Sequence, residues 1–144
     1  MILDDEQATM ALGAKLAAKV RTGDVVTLSG PLGVGKTALA RGILAGLGHE
    51  GEVPSPSFAI VQPYDELDPP VWHVDLFRIE RPAELDELGL DSAAGGVLLV
   101  EWPDKAGPGA WPQALGLALD FAEGGSRCLT AKVPPSWQSR WPPE

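Results

Sequence analysis

The stretch Gly30-Pro31-Leu32-Gly33-Val34-Gly35-Lys36-Thr37 reads G-x-x-x-x-G-K-T, the spacing of a phosphate-binding loop. Its glycines let the backbone curl so that several N–H groups point into one concavity. That concavity opens at a helix N-terminus, where the helix dipole favours an anion. Lys36 adds a cation for the β- and γ-phosphates, and the Thr37 hydroxyl can bind Mg²⁺. The stretch therefore predicts a nucleotide site.

The flanking segments favour this interpretation over a glycine-rich turn formed by chance. Residues 25–28 are β-branched and apolar, which predicts a buried strand before the loop. Apolar residues from Ala38 to Leu47 predict a helix that ends near Gly48. An earlier helix is predicted over residues 4–21, where leucine and valine recur every four positions.

The rest of the chain predicts strands and one short helix. Residues 57–64 and 71–75 form one predicted hairpin, and residues 115–133 form another. Residues 82–88 predict a short helix, and residues 97–101 a buried strand. The fold class is therefore α/β: a P-loop NTPase-like three-layer sandwich with a mixed, mainly parallel sheet, an antiparallel hairpin insert and a C-terminal hairpin.

Length and charge limit the functions that are possible. The chain has 144 residues, which fits one P-loop ATPase domain over residues 1–133 and a Pro/Trp-rich tail, 134–144, that we expect to be extended or mobile. Its formal net charge of −9 argues against strong direct binding of nucleic acid, which needs a basic face, and favours a protein partner. We expect a monomer or weak oligomer.

The single cysteine, Cys128, excludes an internal disulfide. The N-terminus lacks the pattern of a signal peptide, and no apolar stretch reaches the ~20 residues that span a bilayer. We therefore expect a cytoplasmic protein with no membrane contact.

P-loop NTPases place an acidic residue at the end of a core strand, where it holds Mg²⁺. Glu101 follows four apolar residues and is the stronger candidate, whereas Asp75 ends a less apolar strand and remains open on pattern alone. His73 lies on the same strand face as Asp75. A hydrogen-bonded structural role is the favoured interpretation of this histidine, and contact with the phosphates is the alternative.

Together these motifs resemble the TsaE family, the ATPase component of bacterial tRNA threonylcarbamoyladenosine (t6A) biosynthesis. The resemblance covers almost all of residues 4–133. It rests on these segments: Gly30 to Thr37, Ser55-Pro56-Ser57-Phe58, His73-Val74-Asp75-Leu76-Phe77-Arg78, Glu84-Leu85 with Gly89, and Val100-Glu101-Trp102-Pro103.

The resemblance implies a weak ATPase that needs ATP and Mg²⁺. It also implies two partner proteins, TsaB and TsaD, with which the family modifies adenosine 37 of tRNA. Thr37 and Glu101 would be the metal ligands, Lys36 and Asp75 the catalytic residues, and residues 55–58 a switch-like loop. The implied nucleotide contacts are Glu6, Pro31, Leu32, Gly33, Val34, Gly35, Lys36, Thr37, Ala38 and Arg127, with Glu6 and Arg127 beside the adenine.

Three positions depart from the family pattern. Pro31 stands where the family usually has aspartate, and it removes one backbone donor from the loop. Ser57 replaces the usual threonine and keeps a hydroxyl. Phe77 replaces the usual tyrosine and loses the phenol.

Two other functions remain as alternatives. A small-molecule P-loop kinase would normally carry a lid with arginines over the phosphates, and no lid-sized insertion is present. A non-hydrolysing nucleotide-sensing adaptor would bind ATP and signal through its affinity for a partner. A GTPase is disfavoured, because the guanine-specifying N-K-x-D motif needs an asparagine and the sequence has none.

Overall fold

The computed structural model describes residues 1–53, 61–90, 95–107 and 109–143. Within these ranges the chain forms two α-helices and one seven-stranded sheet. The elements are β1 (Ile2–Leu3), α1 (Glu6–Ala17), β2 (Val25–Ser29), α2 (Lys36–Gly46), β3 (Val61–Tyr64), β4 (Val71–Asp75), β5 (Val97–Glu101), β6 (Leu115–Phe121) and β7 (Arg127–Lys132).

The strand order is β1-β7-β6-β2-β5-β4-β3. The central strands β6, β2, β5 and β4 run parallel, and each end of the sheet carries an antiparallel pair, β3 with β4 and β6 with β7. The predicted mixed, mainly parallel α/β sheet and both predicted hairpins are therefore confirmed. The stretch 54–60, which includes the predicted switch-like loop, lies outside the described residues.

Two strand details go beyond the prediction. Pro63 lies within β3, where it is tolerated because β3 is an edge strand of the described sheet. The sequence pattern gave no sign of β1, which pairs Ile2 with Cys128 of β7. A strand of two residues is too short to show alternation.

The core lies on both faces of the sheet. Alternate residues of β5 divide between two clusters: Val97 and Leu99 pack with α1 and α2, whereas Leu98 and Val100 pack on the other side. Short 3₁₀ helices at Pro82–Leu88 and Pro103–Ala106 cover that second side. These layers bring the loop, β4 and β5 together at one edge.

The C-terminal tail packs onto the domain in the described residues, which differs from the extended or mobile tail that we expected. Trp137 is buried at 1% exposure. The Arg140 guanidinium stacks on its ring at 3.9 Å and donates to both carboxylate oxygens of Asp24, at 2.6 and 3.1 Å. The tail therefore braces the turn that leads into β2. Among the described residues, no helix is long and apolar enough to cross a membrane.

Candidate functional site: a cavity at the strand ends

The glycine loop joins β2 to α2 as the sequence predicts. Gly35 caps the helix with φ +116°, and Gly30 has φ +139°. A Cβ on Gly30 would lie 2.2 Å from the backbone oxygen of Leu119, so only glycine fits there. The Leu39 N–H donates a hydrogen bond to Gly35 O, and the N–H groups of residues 36–38 before it have no partner within the helix. The loop therefore presents backbone donors at a helix N-terminus.

The two predicted carboxylates lie side by side beneath this loop. Asp75 ends β4 and Glu101 ends β5, and the two residues are partners across the parallel strands. Both are buried, at 5% and 3% exposure. The Thr37 hydroxyl lies 3.1 Å from each carboxylate oxygen of Glu101 and donates to that group. The predicted metal ligands are thus in direct contact.

Lys36 lies at the centre of the site. Its ammonium donates to the carbonyls of Gly30 (2.6 Å) and Pro31 (2.9 Å) and lies 4.0 Å from the centre of the Trp102 ring. Burial lowers the pKa of Lys36, although the carboxylates of Glu101 and then Asp75 oppose this change. Pro31 has no backbone N–H, so it contributes to the loop through its carbonyl.

Asp75 occupies a less favourable environment for a charge. Burial raises the pKa of its carboxyl, and the nearby Glu101 adds to the increase. The Phe77 N–H donates to Asp75 Oδ1 at 2.9 Å, and this hydrogen bond opposes the increase in the pKa, as do the neighbouring His73 and Lys36. The result is a carboxyl that binds a proton more readily than a solvated aspartate.

These groups line a cavity of about 460 Å³, within the range of small-molecule sites. Its lining is Glu6, Thr9, Leu32, Gly33, Val34, Gly35, Lys36, Thr37, Ala38, Arg41, Asp75, Phe77, Arg78, Glu101, Trp102 and Arg127. Every residue predicted for the site is there except Pro31. In the described part of the chain, four basic and three acidic side chains face this cavity, although the protein as a whole carries −9. The site therefore suits an anionic ligand.

The two residues predicted beside the adenine occupy different surroundings. Arg127 donates from Nε to Val34 O at 2.7 Å and from Nη1 to Gly125 O at 2.6 Å. It therefore fastens the phosphate loop to the C-terminal hairpin. Glu6 is exposed at the start of α1 and lies 3.9 Å from Arg41, a contact too solvated to fix either side chain.

Sequence reasoning assigned no role to several residues of the lining. Thr9 reaches it only because α1 packs against α2, which no local pattern indicates, whereas Arg41 lies one helical turn after Thr37 on α2 itself, so its spacing could have indicated it. Trp102 follows Glu101 directly, so its place in the chain was a usable signal. It has φ +60°, the left-handed conformation that a bulky residue rarely adopts, and this turn directs its ring towards Lys36.

His73 does not line the cavity. It is fully buried, and its Nε2 lies 2.6 Å from Glu101 Oε2. The favoured interpretation of a hydrogen-bonded histidine is thereby confirmed.

The donor chemistry fits Mg²⁺. A hydroxyl and a carboxylate are oxygen ligands, and magnesium sites in nucleotide-binding proteins use one or two protein oxygens plus substrate phosphates. The described residues hold no cluster of three or more His, Cys, Asp or Glu side chains that would form a self-sufficient metal cage. Thr37 and Glu101 are two such oxygen donors, in contact with each other at one point of the site.

The fold and its glycine loop define an α/β protein of the P-loop type. The family described as "Threonylcarbamoyl adenosine biosynthesis protein TsaE" matches residues 3–128 of the chain. This protein therefore belongs to the TsaE family.

Relatives and a solved structure agree with that assignment. The chain is similar to the tRNA threonylcarbamoyladenosine biosynthesis protein TsaE of Haemophilus influenzae, at 37% identity over 119 residues, 78% of this chain and 75% of the relative. The protein of the same name from Streptomyces coelicolor is 42% identical over 117 residues, 78% of this chain and 79% of the relative. The crystal structure of YdiB from Bacillus subtilis superposes with a TM-score of 0.79 at 30% identity, covering 96% of this chain and 87% of that one.

Proposed function

We propose that this protein is a weak Mg²⁺-dependent ATPase that supports t6A modification of adenosine 37 of tRNA by acting on a TsaB–TsaD complex in the cytoplasm. The observation that carries the proposal is the contact between Thr37 and Glu101, 3.1 Å, directly below the phosphate loop. A hydroxyl at the first turn of the helix and a carboxylate at a neighbouring strand end are the two protein groups that a P-loop ATPase needs for its metal.

The loop binds and orients the phosphates. The backbone donors at the start of α2 and the helix dipole attract the triphosphate. Lys36 exchanges its bonds to the carbonyls of Gly30 and Pro31 for bonds to phosphate oxygens, and these are stronger because both partners are charged. Trp102 lies against the ammonium and keeps water from one side of it.

Asp75 prepares the water that attacks the γ-phosphate. The Phe77 N–H holds its Oδ1, so Oδ2 is the oxygen that orients the water or accepts its proton. The raised pKa of this carboxyl makes it a better base than a solvated aspartate. Mg²⁺, when bound through Thr37 and Glu101, neutralises charge that develops on the phosphates.

ATP is proposed rather than GTP because the sequence contains no asparagine and hence no guanine-specifying motif. The bond from Arg127 to Val34 O links the base end of the site to the loop, which supports a nucleotide whose base and phosphates are held by one rigid unit.

The proposed interaction with TsaB and TsaD is tested by pull-down of a TsaB–TsaD complex with ATP, ADP or no nucleotide, using Lys36→Ala as the matched control. We expect tighter association with ATP, and no nucleotide effect for the variant. Equal association under all three conditions would contradict the proposal that binding to the complex depends on the bound nucleotide.

We also expect the chain alone to bind tRNA weakly, with binding that disappears at moderate salt. Tight binding that resists salt would contradict the argument from the negative net charge.

A further inference from the structure

A buried histidine supports the candidate metal carboxylate from the side opposite the cavity. His73 lies in the middle of β4, between Gln62 of β3 and Leu99 of β5, and has no exposed surface. Burying a polar ring in such a place is costly unless it is hydrogen-bonded. Its Nε2 lies 2.6 Å from Glu101 Oε2, and its Nδ1 has no partner among the described residues. Within the described part of the chain, the contact with Glu101 is therefore the polar contact that the ring makes.

The tautomer follows from the geometry. A carboxylate oxygen can only accept, so the hydrogen of the imidazole lies on Nε2. His73 then donates to Oε2 from β4, and Thr37 donates to the same carboxylate from α2, with its hydroxyl 3.1 Å from each oxygen. Two donors on two elements fix the torsion of the Glu101 side chain, and Oε1 is the oxygen that His73 does not touch.

We propose that His73 is a positioning residue for the metal site, holding Oε2 of Glu101 so that Oε1 faces the magnesium position beside Thr37. The inference rests on the proposed function, in which Glu101 and Thr37 hold Mg²⁺. Partners that orient a ligating side chain in this way have large effects, and their loss typically lowers metal affinity about 10–100-fold.

Two substitutions separate positioning from packing. His73→Gln keeps an N–H donor at a distance from the backbone similar to that of Nε2, whereas His73→Leu fills similar space and donates nothing. The probe is a fluorescent ADP analogue, titrated in EDTA and then at increasing MgCl₂. We expect His73→Leu to raise the Mg²⁺ concentration for half-maximal enhancement of binding about tenfold or more. Affinity in EDTA should not change, and His73→Gln should stay near the wild type.

A half-maximal Mg²⁺ concentration for His73→Leu equal to that of the wild type overturns the inference. An equal loss of ADP affinity with and without Mg²⁺ also overturns it, because packing alone would produce that result. If His73→Leu does not fold, His73→Asn takes its place with the same expectation, since its amide is too short to reach Glu101. If the wild type itself shows no Mg²⁺-dependent binding, the proposed function fails, and that result differs from a wild type that responds and a variant that responds equally.

Discussion

At the scale of single residues, the buried carboxyl of Asp75 lowers the stability of the folded protein when it is ionised. Its pKa in the folded protein lies above the ordinary value, mainly because of burial. Well below the ordinary aspartate pKa of about 3.9, the carboxyl is protonated in both folded and unfolded states and its ionisation does not affect stability. As the pH rises through the folded pKa, the folded state must lose a proton that it binds more tightly than the unfolded state, so the free energy of unfolding falls.

Asp75→Asn should therefore stabilise the protein at neutral pH and not in acid. The amide oxygen still accepts the Phe77 N–H. Lys36 and His73, which favour the charged form, reduce the gain, whereas Glu101 increases it. Denaturant unfolding of both proteins at about pH 3 and about pH 7.5 measures the difference. A gain in acid that equals the gain at neutral pH would show that the cost does not come from ionisation.

The two carboxylates should also fail differently in catalysis. Glu101→Gln removes the charge that holds the metal, so nucleotide binding should lose much of its dependence on Mg²⁺. Asp75→Asn should leave ATP binding near normal and lower turnover by about 10²–10⁴-fold, the usual contribution of a general base. Binding and hydrolysis measured over a range of Mg²⁺ for both variants decide the roles. The assignments are reversed if Asp75→Asn is the variant that weakens the metal response.

At the scale of elements, the contact between α1 and α2 depends on glycine. A Cβ on Gly42 would lie 2.1 Å from the backbone oxygen of Met10, and one on Gly13 would lie 2.5 Å from that of Leu39. Thr9 of α1 lines the cavity beside residues of α2, so the distance between the two helices sets the width of the site there. The close approach of the helices thus shapes the site.

Gly42→Ala should destabilise the protein by about 1–3 kcal/mol, even though alanine favours a helix by about 1 kcal/mol over glycine. Thermal unfolding and the free energy of unfolding in urea are the measurements. Gly95→Ala is the control, because no atom of the described residues lies within 4 Å of a Cβ there. Stabilisation by Gly42→Ala would mean that the helices are further apart than the structure has them.

The sequence predicts those elements whose signal is local. The loop before Lys36 and the apolar run before Glu101 each carry their own pattern, so the ends of β2, β4 and β5 could be placed beforehand. The predicted first helix, residues 4–21, is longer than α1, which ends at Ala17, because the turn that follows is irregular: the N–H groups of Lys19 and Val20 both donate to Leu16 O. The place of Thr9 and the bond from Arg127 to Val34 arise from packing between distant segments, which no local window contains.

At the scale of the whole molecule, the C-terminal tail is part of the fold although it lies beyond the residues of the family match, which ends at residue 128. Trp137 belongs to the main core cluster, and Arg140 donates to Asp24 and to Lys19 O at 2.8 Å. The proline and tryptophan residues of the tail indicated an extended segment, because composition does not reveal which surface of the domain a tryptophan packs against. A tryptophan with 1% exposure cannot be extended into solvent.

Trp137→Ala should cost about 3–5 kcal/mol, as for other large core side chains. Ser139→Ala, at an exposed position of the same tail, should cost nothing measurable. Urea unfolding of both variants, with nucleotide affinity as a second readout, tests the assignment. Equal free energies of unfolding for the two variants would mean that the tail is extended, as its composition indicates.

The central claim concerns the whole molecule and its partners, and steady-state ATP hydrolysis tests it most directly. The rate is measured for the chain alone and with a TsaB–TsaD complex, with and without Mg²⁺, and with Lys36→Ala as control. We predict slow Mg²⁺-dependent turnover alone, a clear increase with the complex, and no turnover by the variant. A rate that TsaB–TsaD leaves unchanged, or wild-type turnover by Lys36→Ala, would contradict the account.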